Sequence, residues 1–385
     1  MTDFDTTLEA GVSQPKKQTL GKIADLLERS GIDIDDIGRV QKIRVWQGFY
    51  KDPDGNAQTV DMSGVVLSPK WADGPEWPVV APAAPINARP RPAPKTARAA
   101  QVIVIAPDPQ IGFRRFEDGT LDPFHDDRAI ALHLQIIRDA KPDRIINLGD
   151  SFDAPEWSSK FLVAPEFVMT TQPSLDRLHR HLAEQLTEAP EGCTVEMLEG
   201  NHDNRLGVAI TKNAMAALRL RKANAPESWP VLSLQSLLRL DELGVVYHDG
   251  YPAGRVKLAA GADGRITPLS AIHGERLTVA AVAKNERQSY VQGHIHRIQD
   301  HYETYELDGE PVVVNAWSPG CLCRVDGAVP STKGAADVRG RPKHRIEGWQ
   351  QGCAVVTVQP DGTWAKEIIH IAGGRAIWRG KEYTA

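Results

Sequence analysis

The sequence predicts an α/β protein that carries a small α+β module at its N-terminal end. Beyond residue 100, short apolar runs rich in β-branched residues alternate with helical patterns, which is typical of layered α/β proteins. A proline-rich stretch separates this part from the first 70 residues. With 385 residues, the chain is also longer than one average domain. We therefore expect a module over residues 1–70, a linker over residues 71–99 and one large domain over residues 100–385.

The N-terminal module is predicted from one helix and one hairpin. Thr19 is placed to cap the helix and Gly31 to end it, and apolar residues recur between them at helical spacing. These residues are Leu20, Ile23, Leu26 and Leu27. Residues 39–67 then read as two strands around the turn sequence DPDGN at residues 52–56. We expect this module to recruit a partner or to influence the choice of substrate.

The linker is recognised by its prolines and its charge. Seven prolines occur between Pro75 and Pro94, and the stretch also carries positive charges. These charges are Arg89, Arg91, Lys95 and Arg98. A solvated, stiff spacer is the favoured interpretation, and contact with a nucleic-acid backbone is the alternative.

The large domain is predicted from its apolar runs. QVIVIA, RIINL, CTVEML, LSAI and SYVQ read as strands, and two sets of apolar residues mark helix faces. The helix-face residues are Ile130, Leu134, Ile137, Leu175, Leu178, Leu182 and Leu186. The later runs PVVVNAW, CAVVTV and KEIIHI are expected to complete a second sheet. The sequence thus predicts two sheets between layers of helices.

Composition and charge restrict the class of protein. With 41% hydrophobic and 25% charged residues, the chain is an ordinary globular protein and not a disordered or collagen-like one. A formal net charge of −5 argues against general coating of nucleic acid. The Cys321-Leu-Cys323 pair lacks the two-residue gap of zinc knuckles, so we expect the cysteines to be reduced. Without an apolar signal core or a run of eighteen apolar residues, a cytoplasmic protein with no membrane partner is expected.

Polar groups that bind metals follow five of the predicted strands. QVIVIA leads to Asp108, RIINLGD ends in Asp150, and CTVEMLEGNHD ends in the sequence Asn-His-Asp at residues 201–203. LSAIHG and SYVQGHIH supply the remaining groups, which are His273, His294 and His296. Carboxylate, amide and imidazole groups at converging strand ends favour a metal site over a set of buried structural side chains.

These motifs resemble those of the calcineurin-like metallophosphoesterase superfamily. The ordered pattern of that superfamily appears here as DPQ at 108–110, GD at 149–150, GNHD at 200–203, a lone histidine at 273 and GHIH at 293–296. The resemblance covers about residues 100–320. It implies a four-layer αββα sandwich with two metal ions at the strand ends.

The resemblance also implies which residues hold each ion. Carried over, Asp108, Gln110, Asp150 and His296 hold the first ion, and Asp150, Asn201, His273 and His294 hold the second, with Asp150 bridging both. Two divalent ions about 3.5–4 Å apart can share a nucleophile and bind phosphoryl oxygens. His202 lies outside this ligand set.

Three further residues are expected to take part in catalysis. In the superfamily, the histidine at the position of His202 protonates the leaving oxygen or stabilises the transition state. Its neighbour Asp203 is expected to orient it, and Arg205 is expected to hold a phosphate.

Two positions leave a choice open. Gln110 stands where most of the superfamily has histidine, and its amide oxygen is a harder ligand than imidazole, so manganese is favoured over zinc. Magnesium, iron(II), zinc and nickel are the alternatives. For the lone histidine, His248 in VVYHDG competes with His273, which we favour because it directly precedes a glycine at a strand end.

The motifs also restrict the substrate. GDSFDAP and GNHDNR differ from the patterns of the serine/threonine protein phosphatases, which leaves a phosphodiesterase. A nuclease related to the SbcD-type DNA-repair enzymes is favoured, and a hydrolase of small nucleotides is the alternative. GNHDNRL, a helical stretch and GHIHR together most resemble metallophosphoesterases encoded by bacteriophages.

Residues 205–243 are expected to form a helical insertion with basic residues that either hold phosphates or face solvent. Beyond Arg205, the basic residues considered for this role are Lys212, Arg219, Arg221 and Lys222. A different class of function remains, namely a non-catalytic binding protein in which the metals stabilise a scaffold.

Overall fold

The computed structural model describes residues 37–69, 100–158, 165–224, 229–262, 267–330 and 348–385, together with two isolated positions, 27 and 29. The chain divides into two compact units, residues 1–85 and 86–385. Most of the helix predicted before Gly31, and the whole linker predicted over residues 71–99, lie outside the described residues.

The described strands are, in chain order, β1 Ile37–Lys51, β2 Ala57–Pro69, β3 Gln101–Ala106, β4 Phe113–Arg115, β5 Leu121–Pro123, β6 Arg144–Asn147, β7 Thr194–Leu198, β8 Val246–His248, β9 Arg255–Ala259, β10 Leu269–Ile272, β11 Ser289–Gln292, β12 Ile298–Leu307, β13 Glu310–Pro319, β14 Gln351–Val358, β15 Trp364–Ala372, β16 Arg375–Trp378 and β17 Lys381–Thr384. The described α-helices are α1 Asp127–Ala140, α2 Thr171–Glu188, α3 Arg205–Asn213, α4 Leu234–Leu237, α5 Leu240–Leu243 and α6 Val279–Glu286.

The first unit contains the predicted hairpin. β1 and β2 pair in antiparallel register, with Trp46 opposite Met62. The Asp52 carboxylate accepts hydrogen bonds from the backbone N–H groups of Asp54 and Asn56, at 3.1 and 2.9 Å. Gly55 supplies the left-handed backbone, with φ of 85°, that closes this turn. The two strands and the turn predicted at residues 52–56 are therefore confirmed.

The second unit is built on two mixed sheets. Within the described residues, the larger sheet has eight strands in the order β17-β16-β15-β14-β3-β6-β7-β8, and the smaller has five in the order β12-β13-β11-β10-β9. β3, β6, β7 and β8 run parallel in the first sheet, and β10, β11 and β13 run parallel in the second. The predicted α/β class is confirmed at this level.

The C-terminal strands correct one expectation from the sequence. PVVVNAW lies on β13 in the five-stranded sheet, but CAVVTV and KEIIHI lie on β14 and β15 in the eight-stranded sheet. β14 pairs antiparallel with β3, with Val355 opposite Val104. Nearly all of β14 is buried, because it is a central strand. A local apolar pattern predicts such a strand but does not specify which sheet receives it.

Helices α1 and α2 cover one face of the larger sheet. Their apolar residues, such as Ile136 and Leu178, share a core with Val104 of β3. A second core joins the two sheets, with Ile103 and Ile146 from the larger sheet and Trp317 from the smaller one. A third core packs Val282 of α6 against Tyr290 and Val314 of the smaller sheet. These cores hold the strand ends of both sheets in fixed positions.

The helical pattern expected for residues 205–243 is interrupted. Helix α3 ends at Asn213 and is followed by a 3₁₀ turn at Met215–Ala217. Arg219 then adopts a left-handed backbone, with φ of 64°, which no helix of L-residues continues. Two one-turn helices, α4 and α5, complete the described part of this segment.

Among the described residues, no helix is long and apolar enough to cross a membrane.

We expect His133→Leu to stabilise the chain, and increasingly so in acid. His133 is fully buried on α1, and neither of its ring nitrogens has a hydrogen-bond partner within the described residues. Burial lowers its pKa to about 3. Below about pH 6.5 the unfolded chain therefore binds a proton that the folded chain does not, which costs about 1.4 kcal/mol per pH unit down to pH 3.

Urea denaturation at several pH values measures this effect. The unfolding free energies of the wild type and His133→Leu should diverge as the pH falls from 6.5. The exposed His370→Leu serves as a surface control. Parallel pH profiles for the wild type and His133→Leu would contradict the assignment.

Candidate metal centre

The candidate ligands lie where parallel strands of both sheets end. β3 leads to Asp108 and Gln110, and β6 leads to Asp150. β7, β10 and β11 lead to the remaining ligands, which are Asn201, His273, His294 and His296. Because both sheets present their carboxyl ends to one region, residues that are up to 188 positions apart become neighbours.

Two groups of potential ligands share one carboxylate. Asp108, Asp150 and His296 place ligand atoms within 4.8 Å of one another, and so do Asp150, His273 and His294. Asp150 belongs to both groups and is 1% exposed. A buried carboxylate common to two ligand groups is the arrangement that a two-metal site requires.

The first group is completed by Gln110. Its Nε2 lies 3.1 Å from Asp150 Oδ2 and 3.3 Å from His296 Nε2. His296 Nε2 is 3.3 Å from Asp108 Oδ1. The amide of Gln110 therefore faces the space that Asp108, Asp150 and His296 surround.

The second group is completed by Asn201. Its Oδ1 lies 3.2 Å from His273 Nε2 and 2.8 Å from His294 Nδ1. His273 Nε2 is also 3.3 Å from Asp150 Oδ1, and its Nδ1 lies 2.9 Å from the carbonyl oxygen of Leu148. In the neutral ring, a backbone carbonyl that accepts from Nδ1 keeps the proton there, which leaves the lone pair of Nε2 for a metal.

The backbone is strained at most of these positions. Asp108, Gln110, Asp150, His294 and His296 all have positive φ, between 38° and 69°. This conformation is uncommon for residues other than glycine, and its cost persists only where the surroundings fix it. Five of the seven candidate ligands therefore lie in loops whose backbone conformation is energetically unfavourable.

Close packing fixes the carboxylates further. A Cβ at Gly293 would lie 2.7 Å from Asp108 Oδ2, and a Cβ at Gly149 would lie 2.8 Å from His273 Nδ1. A side chain at Gly200 would collide with Asp150. The glycines of the GD, GNHD and GHIH motifs therefore leave room for the ligands themselves.

Two buried oxygen atoms in the centre lack partners among the described residues. They are Asp108 Oδ2 and Gln110 Oε1. Buried polar atoms are nearly always satisfied, so these oxygens are available to bind a cation. A half-turn of the Gln110 amide exchanges its two terminal atoms and would bring Oε1 to the position of Nε2, beside Asp150 and His296. The residues therefore fit a pair of divalent ions.

The carboxylates also control the charge of the histidines. Burial alone would lower the pKa of His273, but the Asp150 carboxylate raises it to about 9. Burial likewise opposes protonation of His296, whereas Asp108 raises its pKa to about 9. Burial and the neighbouring His273 lower the pKa of His294 to about 4. Positive charge is favoured beside the carboxylates, as at a cation site.

The acid that orients His202 is Asp153, which corrects the expectation for Asp203. His202 Nδ1 lies 2.6 Å from Asp153 Oδ1. The Asp203 carboxylate instead accepts hydrogen bonds from the backbone N–H groups of Gly200 and Phe152, at 2.8 and 2.9 Å. Asp203 thereby connects the GNHD loop to the loop after β6. Because its oxygens accept these backbone hydrogen bonds, Asp203 does not orient His202.

Sequence reasoning missed Asp153, although a signal was present. Asp153 lies three residues after Asp150 in GDSFD, in the same strand-end loop. Its side chain is fully buried, and its Oδ2 has no hydrogen-bond partner within the described residues. An acid so close to a predicted metal ligand was a candidate, but its contact with His202 depends on the folding of two loops.

Arg205, the first residue of α3, supports the same histidine. Its Nη2 lies 2.9 Å from His202 Nε2, and its Nη1 donates to the carbonyl oxygen of Asp153. The phosphate contact expected of Arg205 stays a prediction. The other basic residues expected to hold phosphates or face solvent, namely Lys212, Arg219, Arg221 and Lys222, are exposed.

His248 lies elsewhere. On β8, its Nε2 is 2.8 Å from Glu196 Oε2, and Glu196 also accepts from Arg144. Of the two histidines considered for the lone position, His273 is therefore the one that lies among the candidate ligands.

Comparisons with known proteins identify relatives in bacteriophages. The chain is 27% identical over 268 residues to the Gene 54 protein of Mycobacterium phage L5, and the match covers 66% of this chain and 91% of the relative. It is 26% identical over 267 residues to the Gene 54 protein of Mycobacterium phage D29, with the same coverage. No family model matches the chain.

One solved structure also matches this chain. It is described as a hypothetical protein from Thermus thermophilus, is 13% identical and has a TM-score of 0.26, with 74% of this chain and 98% of that chain covered. By sequence, the chain is therefore similar to proteins of two mycobacteriophages.

Proposed function

We propose that the chain is a phosphodiesterase of the calcineurin-like metallophosphoesterase superfamily that uses two divalent metal ions. The observation that carries this proposal is the buried Asp150, which belongs to both ligand groups. The four-layer αββα sandwich is part of the same proposal. It is supported by three apolar cores, which join helices to the larger sheet, the two sheets to each other and α6 to the smaller sheet.

The residues of each ligand group would hold one ion. The first ion would be bound by Asp108, Gln110, Asp150 and His296, and the second by Asp150, Asn201, His273 and His294. When bound, such ions supply Lewis acidity to phosphoryl oxygens and lower the pKa of a water nucleophile. The many oxygen ligands favour manganese over zinc.

His202 is the residue that handles the proton of the leaving group in this proposal. Asp153 accepts from Nδ1, which orients the ring, and Nε2, which lies 2.9 Å from Arg205 Nη2, is the nitrogen that would face the substrate. Nε2 also lies 3.7 Å from Asp150 Oδ2, so the ring borders the ligand groups without belonging to them. Arg205 and Asp153 act as positioning residues for the ring.

A nucleic acid is the proposed substrate class, with an SbcD-like nuclease as the most specific form of the proposal. Exposed basic residues follow the GNHD motif on and beyond α3 and would attract a phosphate backbone. A small nucleotide is the alternative substrate, since it contains the same diester bond.

Hydrolysis of two kinds of substrate tests the function. Full-length protein with manganese should hydrolyse bis-p-nitrophenyl phosphate and should cleave single- or double-stranded DNA. Hydrolysis of the nitrophenyl diester without DNA cleavage would favour the small-nucleotide alternative. Metal binding without any hydrolysis would favour the non-catalytic binding protein.

We expect Gln110→His to raise the affinity for zinc relative to manganese. An imidazole in place of an amide oxygen makes the first ligand group softer, and zinc prefers nitrogen donors more strongly than manganese does. Competition titrations of both ions on the wild type and the variant measure the preference. An unchanged preference would show that residue 110 does not bind the ion. Gln292→His serves as the control, because it makes the same substitution at another buried glutamine.

A further inference from the structure

Two cysteines lie next to the metal centre and have no role in the proposed reaction. Cys321 and Cys323 follow β13, are both fully buried and are free thiols. Together with His296, they place one ligand atom each within 4.8 Å of one another. Nitrogen and sulfur donors in this number are typical of sites for zinc and for other thiophilic ions.

The three donor atoms lie within 4.8 Å of one another, which is not far from the spacing of donors around a bound ion. With metal–sulfur distances of about 2.3 Å and metal–nitrogen distances of about 2.0 Å, donor atoms of a tetrahedral site lie roughly 3.5–3.8 Å apart. Cys323 Sγ is already 3.9 Å from His296 Nδ1. Small rotations of the side chains would therefore suffice for coordination.

The backbone holds the two cysteines rigidly. The N–H of Cys321 donates to the carbonyl oxygen of Gln350 at 3.0 Å, and the N–H of Leu322 donates to that of Pro107 at 3.0 Å. Isolated β-bridges, formed outside the strands, also connect Cys321 with Gln351 and Cys323 with His125. The donors are thus preorganised, which lowers the cost of binding an ion.

We propose that Cys321, Cys323 and Nδ1 of His296 form a binding site for one thiophilic divalent ion. Binding releases the two thiol protons to solvent and forms two metal–sulfur bonds and one metal–nitrogen bond. The apolar side chains around the cysteines, such as Phe124 and Val329, exclude water from this site.

His296 couples this site to the ligand group of Asp108. Its Nε2 faces Asp108 and Gln110, whereas its Nδ1 faces Cys323. A neutral imidazole has one lone pair on nitrogen, so the ring binds a metal through one nitrogen at a time. A thiophilic ion at the cysteines therefore competes with the ion that Asp108 and Asp150 would hold. An inhibitory effect of such ions rests on the proposed function, but the site itself does not.

Cadmium titration of the reduced, full-length chain after chelator treatment tests the site. An ultraviolet charge-transfer band from thiolate to cadmium should appear and saturate with the intensity of two cadmium–sulfur bonds per chain. Cadmium-113 NMR on the wild type should show a resonance of mixed sulfur and nitrogen coordination. The absence of a thiolate band would overturn the proposal whether or not the chain hydrolyses diesters.

Variants and competition complete the test. Cys321→Ala and Cys323→Ala should each weaken cadmium binding at least about tenfold, since even the loss of a group beyond the ligands costs 10–100-fold. Cys353→Ala, which removes a buried thiol from a different core, should keep the band. Manganese present beforehand should raise the cadmium concentration needed for half-saturation. A band that survives in both site variants would overturn the site, and indifference to manganese would overturn the competition for His296.

Discussion

Asp150→Asn is expected to remove both metal ions and to lower kcat/KM for a diester at least about 10³-fold. Asp150 is the carboxylate common to both ligand groups, so in the proposed centre its charge would support two ions at once. Stabilisation by bound metal is worth several kcal/mol, and each 1.36 kcal/mol corresponds to a factor of ten in rate. Metal analysis by mass spectrometry and kinetics with bis-p-nitrophenyl phosphate measure the two effects.

The control for this substitution is Asp139→Asn. It makes the same chemical change on the exposed surface of α1, where Asp139 contacts Lys381 and Tyr383. It should leave metal content and activity unchanged. If Asp150→Asn lost only one ion, the bridging role of Asp150 would be wrong, and if it kept both with unchanged affinity, the charge of Asp150 would not support metal binding.

His202→Ala is expected to keep both ions and to lower kcat by about 10²–10⁴-fold on substrates with poor leaving groups, which is the usual contribution of a general acid. His202 contacts Asp153 and Arg205 and is not a member of either ligand group. Nitrophenolate leaves readily without being protonated, so hydrolysis of a nitrophenyl diester should lose much less rate.

The comparison of leaving groups separates two roles of His202. In the structure, Nε2 lies 2.9 Å from Arg205 Nη2, which can only donate, so Nε2 accepts a hydrogen bond there. A general acid needs a proton on Nε2, and His202 therefore has to take up that proton when the substrate binds. Equal losses on the alkyl and nitrophenyl diesters would remove the general-acid role and leave electrostatic stabilisation. Asp153→Asn should show the same dependence on the leaving group in weaker form, because it disturbs only the orientation of the ring.

Strand patterns in the sequence were sufficient to predict where the candidate ligands lie. Asp108 and Asp150 follow apolar runs that form the adjacent parallel strands β3 and β6, and parallel strands end at the same edge of a sheet. The preference for His273 over His248 followed from the glycine after LSAIH, and the structure places His273 beside Asp150. Local patterns carry this information because strand direction and strand end are local properties.

Contacts between loops could not be predicted in the same way. The pairing of His202 with Asp153 depends on the turn after β6, where Ala154 has φ of 46° and a 3₁₀ turn begins at Pro155. The partner of β14 is β3, about 250 positions earlier in the chain, and no local pattern specifies that choice. The approach of Cys323 to His296 likewise arises only when β13 and β11 become neighbours.

The location of two metal ions is the most direct test of the central claim. Anomalous diffraction from crystals of the full-length protein loaded with manganese should show two peaks about 3.5–4 Å apart, one on each side of the Asp150 carboxylate. One peak should contact Asp108 and His296, and the other should contact Asn201, His273 and His294. A single peak, or two peaks that do not share Asp150, would contradict a dinuclear centre in this chain.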